Sequence, residues 1–109
     1  MNSRSRQTIP FGNPPKTVDE AVDRLISELP LKDRVAIAKM DRSTLPVLYS
    51  AFVTKIREEY GFVTGNEELM ESCRTVSGNE RFDMSKGPAL IIDLMWARLR
   101  KTHAMRAVK

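Results

Sequence analysis

The stretch Pro88-Ala89-Leu90-Ile91-Ile92-Asp93-Leu94-Met95-Trp96-Ala97-Arg98-Leu99-Arg100 decides the fold. Stepped at about 100° per residue, Ile91, Ile92, Met95, Trp96 and Leu99 fall in one arc. Leu90, Leu94 and Ala97 fall in a second arc, roughly opposite, and only Asp93, Arg98 and Arg100 interrupt the apolar surface. A helix that is apolar on two sides requires neighbours on two sides. The sequence therefore predicts an all-α, single-domain bundle of about five helices, with this C-terminal helix central and the earlier ones packed round it. Pro88 fits only in the first turn, where its missing N–H costs nothing, with Ser85 or Gly87 as the cap. Apolar residues thin out after Leu99. Lys101 to Lys109 reads as a frayed basic end, although Met105 and Val108 keep a spacing that would prolong the helix.

Working back from this helix, each preceding segment carries its own punctuation. Thr17 with Glu20 three residues on is a capping box, in which each side chain satisfies a backbone N–H of the first turn. Val18, Ala21, Val22, Leu25, Ile26 and Leu29 then share one face, and Pro30 biases Leu29 out of helix. A short helix over 31–40 puts Leu31, Val35 and Ala38 on one face, with Ile37 and Met40 off it. A third runs from about Thr44 to Tyr60, with Pro46 in its first turn and a stripe from Leu45 to Tyr60. Gly61 suits the left-handed position after it, and Phe62 can close back on the last turn. Asn66 caps a fourth helix with Glu67 and Glu68 in its first turn, and Ser77-Gly78-Asn79 ends it. Phe82 in the following polar loop is expected to plug into the body.

The 109 residues suit one domain. Three segments are expected: an extended basic leader over 1–16, a helical domain over 17–100 and a basic tail over 101–109. Pro10, Gly12, Pro14 and Pro15 keep the leader extended, and Ile9 and Phe11 are candidates to tie it down. Charge follows the same division. Residues 1–16 hold Arg4, Arg6 and Lys16 and no acids; residues 98–109 hold Arg98, Arg100, Lys101, Arg106 and Lys109 and no acids. The middle, 17–97, is left with 10 of the 18 bases against all 14 acids. The net charge of +4 thus comes from the two ends. No apolar run approaches the roughly 18 residues that span a bilayer, and no apolar segment follows the basic N-terminus, so cytoplasm is the expected compartment.

Chemistry is sparse. One cysteine, Cys73, and one histidine, His103, cannot assemble a Cys/His metal site or most nucleophile–base pairs. No cofactor or metal is expected. Asp19-Glu20, Glu58-Glu59 and Glu67-Glu68 are adjacent carboxylates, but helix neighbours point about 100° apart instead of converging across a cleft. Arg57-Glu58-Glu59 near the end of the third helix suggests acids paired with bases elsewhere, with Arg98 a candidate. Trp96 and Cys73 read as core residues. Arg98, Arg100, Lys101, Arg106 and Lys109 are the candidate contacts for an anion or nucleic acid, since phosphate binding needs only such charges. No aromatic interleaving accompanies them, and the second helix of the only helix–turn–helix shape opens Leu45-Pro46-Val47-Leu48-Tyr49, which is ill suited to a groove.

Several of these motifs together resemble a family. Thr17-Val18-Asp19-Glu20-Ala21-Val22, Ile56-Arg57 with Tyr60-Gly61-Phe62, Gly65-Asn66 with Leu69 and Ser72-Cys73, and Ile91-Ile92 with Trp96 and Leu99 are similar to a pattern of short all-helical bacterial domains of unknown function. The resemblance covers residues 17–100. Glu58 and Val63 depart from the pattern, where Asn and Trp are usual. It implies a small helical domain and transfers no activity. The sequence accordingly predicts a non-enzymatic module that binds a protein partner or itself. The alternatives are a nucleic-acid accessory protein using the basic termini and, third, an enzyme with carboxylate or arginine chemistry.

Overall fold

In the first helix, Thr17 leaves the chain extended, and its hydroxyl accepts from the Glu20 N–H at 3.0 Å. The Glu20 carboxylate completes the box one residue further back than usual, on the Lys16 N–H at 2.9 Å. This is α1, Val18–Ser27 in the computed structural model, which describes residues 13–108 and side chains through His103. Ile9 and Phe11 lie outside the described residues. The described end of the expected leader is anchored: Pro15 is fully buried, and its carbonyl accepts from Asn66 Nδ2 at 2.8 Å.

Pro30 separates α1 from α2, Leu31–Ala38. The facing of α2 differs from the expectation. Ile37 and Ala38 are buried and Leu31 is 65% exposed. In so short a helix, Arg34 bonding the Leu29 carbonyl at 2.8 Å and the docking of Met40 beneath α5 set the rotation, not the apolar pattern. Asp41 closes a tight turn by accepting from Ser43 and Thr44, and a 3₁₀ turn, Arg42–Thr44, leads into α3, Leu45–Glu59. Leu45, Leu48 and Ile56 are its buried face.

The step from α3 to α4, Glu67–Ser77, depends on Gly61 and Asn66. Gly61 has φ +91°, and a Cβ there would lie 2.7 Å from the Asn66 Cβ. Only glycine takes that backbone at no steric cost. The Asn66 side chain then does three things. Its oxygen caps Leu69 N–H, and its nitrogen bonds the carbonyls of Pro15 and Tyr60. Ser72 on α4 accepts from the Val18 N–H at 2.9 Å, which joins the start of α1 to α4.

After a second 3₁₀ turn, Met84–Lys86, α5 runs Gly87–Val108. It continues past Arg100, where the tail was expected to begin. A Cβ added at Gly87 would lie 2.4 Å from the Phe62 ring, so a larger residue there would displace that ring. α1, α2, α3 and α4 all pack against α5, which is therefore the central helix, and no strand occurs among the described residues. Ile91, Ile92, Met95, Leu99 and Trp96 form the middle of the core with Leu25, Ile56, Tyr60 and Leu69. Each fully buried side chain of this size contributes about 1.5–3 kcal/mol. No helix among the described residues is long and apolar enough to cross a membrane.

One core residue is imperfectly satisfied. The Tyr60 ring is fully buried with the Arg24 guanidinium 5.8 Å from its centre, yet its hydroxyl has no hydrogen-bond partner among the described residues. Two outcomes follow for denaturant titration. Asn66→Ala loses a cap and two bridging bonds and should cost about 1–3 kcal/mol. Tyr60→Phe removes an orphaned polar atom and should leave stability unchanged or raise it by about 1 kcal/mol. A loss on Tyr60→Phe would mean that the hydroxyl is bonded in solution.

Candidate interaction surface

The two arcs of α5 have different fates. On the first, Ile91, Ile92 and Met95 are fully buried, with Leu99 at 1% and Trp96 at 7% exposure. On the second, Leu90 and Leu94 are half-buried and Ala97 is exposed. Neighbours were expected on both sides; among the described residues they bury the first arc fully, while Leu90 and Leu94 of the second pack against the core only in part. An open cleft of about 450 Å³ runs along the second arc. Val18 and Val22 of α1, Val76 of α4, and Leu94, Ala97 and Lys101 of α5 line it. Val76 is 48% exposed, so its wall is apolar as well.

The cations singled out in the sequence are put to different uses. Arg98 donates to Asp19 at 2.6 Å and also to Asp23, so its partners are on α1 and not the Glu58-Glu59 pair. The sequence could not rank these acids, because the crossing of α1 over α5 is a property of the packed bundle. Glu59 instead pairs with Lys55 at 2.8 Å, and the same Lys55 Nζ lies 2.9 Å from Glu28 Oε1, close enough for an ion pair though not aligned as a hydrogen bond. Arg100 lies over the Trp96 ring at 5.1 Å and donates to the Met40 carbonyl at 3.0 Å. Lys101 is exposed at the end of the cleft. Arg106 is in the last turns of α5 with its side chain beyond those described, and Lys109 lies outside the described residues.

A second cluster joins α5 to the α2–α3 turn. The Trp96 indole N–H donates to the Met40 carbonyl at 2.9 Å, and Arg42 lies 5.3 Å from the ring centre. Two guanidiniums thus approach one indole, an arrangement worth about 0.5–1 kcal/mol each at partly exposed sites. One turn back, Tyr49 of α3 donates to Asp93 at 2.5 Å. Arg42 and Tyr49 were not foreseen as members of this group. The only hint was Arg100 four residues after Trp96, which places a cation beside the ring in any helix.

The groups suited to covalent or acid–base chemistry are inward or engaged. Cys73 is fully buried, and burial pushes its thiol up to about 11, so the thiolate is disfavoured. Among the described residues no group of three His, Cys, Asp or Glu side chains converges to hold a metal ion. Comparison with protein-family models, with curated proteins and with solved structures finds no match for this chain.

The Tyr49–Asp93 bond carries a pH signature. The bond to Asp93 is the main cause, with burial and the Asp93 charge next, that pushes the phenol from 10.0 to about 12. A group that holds its proton more tightly when folded stabilises the fold fully below its unfolded pKa. That contribution disappears as pH rises through the folded value. Unfolding free energy should therefore fall between pH 10 and about 12. Tyr60 and Cys73 shift upward too, chiefly by burial, and add to the fall. Tyr49→Phe should flatten part of the slope in urea titrations at stepped pH, and an unchanged slope would contradict the bond.

Proposed function

We propose that this chain is a small cytoplasmic, non-enzymatic docking module that binds another protein or a copy of itself through the uncovered arc of α5. The observation that carries this reading is that arc itself. Leu94 and Ala97, with Val76 across the cleft and the half-buried Leu90 one turn before them, form an apolar stripe on the helix to which every other helix is attached. Asp19, Arg98 and Lys101 give the stripe a charged rim. An apolar strip with a polar border, on a rigid element, is the anatomy of a helix-in-groove interface.

Several other features favour a binding role over a catalytic one. The only thiol is buried and protonated, Asp93 is held by Tyr49, and the exposed acids Asp19 and Asp23 share one ion-pair partner, Arg98. The nucleic-acid reading draws less support, because Arg98 is already paired with Asp19 and Asp23 and Arg100 with the Met40 carbonyl and the Trp96 ring.

A photo-crosslinking amino acid at position 97 tests the proposal in cells that make the protein. The comparison is the same residue at position 32, exposed on α2. Discrete covalent adducts are expected from position 97 and not from position 32. No adduct from 97, or the same adducts from both, would overturn the reading.

A further inference from the structure

A second open cleft, of about 370 Å³, lies where α1, α2 and α5 meet. Ile26 of α1 and Leu99 of α5 give it an apolar lining, and Arg34 of α2 stands in its wall. The charge of Arg34 has no counterpart. α1 breaks at Pro30, which leaves the Leu29 carbonyl without a helical partner, and the Arg34 Nε–H donates to it at 2.8 Å. A carbonyl orients a guanidinium but does not neutralise it. Lys55, Arg74 and Arg98 are half-buried cations as well, and each has a carboxylate: Glu28 and Glu59, Glu71, and Asp19 with Asp23. No carboxylate is within ion-pair distance of Arg34 among the described residues. Exposed cations such as Lys32 and Lys39 are solvated and need none. Arg34 is half-buried and has lost part of that water, so its charge is open to an anion from outside the chain.

Chemistry selects the kind of anion. With its Nε spent on Leu29, Arg34 keeps its two Nη groups, a planar pair of donors that matches the two oxygens of a carboxylate. Asp23, the one carboxylate lining the cleft among the described residues, is held by Arg98, so the cleft has one cation to spare. One spare charge suits a monoanion better than a doubly charged phosphate ester. The half-buried Ile26 and the neighbouring Leu99 cover hydrocarbon, not a second charge. A volume of this size belongs with the smaller ligand sites, which run from roughly 300 to 1,000 Å³. We infer that the cleft binds a small monocarboxylate with an apolar body. Arg34 takes the carboxylate, and Ile26 and Leu99 take the body. This site goes beyond the docking reading and does not depend on it.

An NMR titration of the isotope-labelled full chain tests the site, with hexanoate and phenylacetate as probes. Acetate, hexanamide and inorganic phosphate are the comparisons. Both probes should give saturable shifts at the amides of Ile26, Arg34 and Leu99 and at the Arg34 Nε–H. Acetate lacks the apolar body and hexanamide lacks the charge, so each should bind at least about fivefold more weakly than hexanoate. Arg34→Gln should weaken hexanoate at least about tenfold. Arg34→Lys keeps the charge without the paired donors and should weaken it by a smaller factor. Circular dichroism checks that both variants stay folded. Should Arg34→Gln lose its helices, Arg34→Lys and the comparisons on the unaltered chain decide the matter. Four results would each overturn the site: no saturation by either probe, hexanamide binding as tightly as hexanoate, shifts confined to other residues, or unchanged affinity in a folded Arg34→Gln chain. Tighter binding of inorganic phosphate than of either probe would overturn the carboxylate assignment. Adducts at position 97 bear on the docking reading alone, so the two proposals fail separately.

Discussion

Four short helices cannot enclose one long one. α5 has 22 residues, about 33 Å at 1.5 Å per residue, while α1, α2, α3 and α4 have 10, 8, 15 and 11. Each of the four reaches α5, and together they close over the arc that carries Ile91, Ile92, Met95 and Leu99. Covering the other arc would take a further helix. Among the described residues, the half-open face follows from these helix lengths and from where the largest side chains lie on α5.

Within the bundle, polar contacts set orientation and apolar burial supplies stability. The exposed Arg98 pairs with Asp19 and Asp23 are of a type worth about 0–1 kcal/mol. A single buried isoleucine of α5 contributes more. What the polar groups fix is position. Asn66 holds the approach to α1 against the end of α3, Ser72 holds the start of α1 on α4, and the Met40 carbonyl receives both Trp96 and Arg100. Each is found at a helix end or turn, where unpaired backbone groups need partners.

The sequence made the helices legible wherever a cap or a wide apolar face marked them. Thr17, Asn66 and Gly78 bound α1 and α4 as expected, because capping is a local event between residues three or four apart. The inward arc of α5 was legible for the same reason, since periodicity places residues on one helix. The rotation of α2 was not, because eight residues carry too weak a pattern to resist their neighbours. Nor were the partners of Arg98, the Tyr49–Asp93 bond or the approach of Arg42 to Trp96, which join residues 44 to 79 positions apart or across a turn. Periodicity also named the second arc of α5 as apolar, but could not tell an arc waiting for a neighbour from one already covered.

The clasp around Trp96 has an optical corollary. It is the single indole of the chain, so its emission comes from one place alone. That place is the seam where the α2–α3 turn meets α5, with a carbonyl on the ring nitrogen and guanidinium groups near the ring. Loosening of that junction would wet the chromophore and shift its spectrum to the red, while events at the Leu94 side would leave the colour nearly alone. The molecule therefore carries its own lamp on one flank and its open face on the other, and the two can be watched independently.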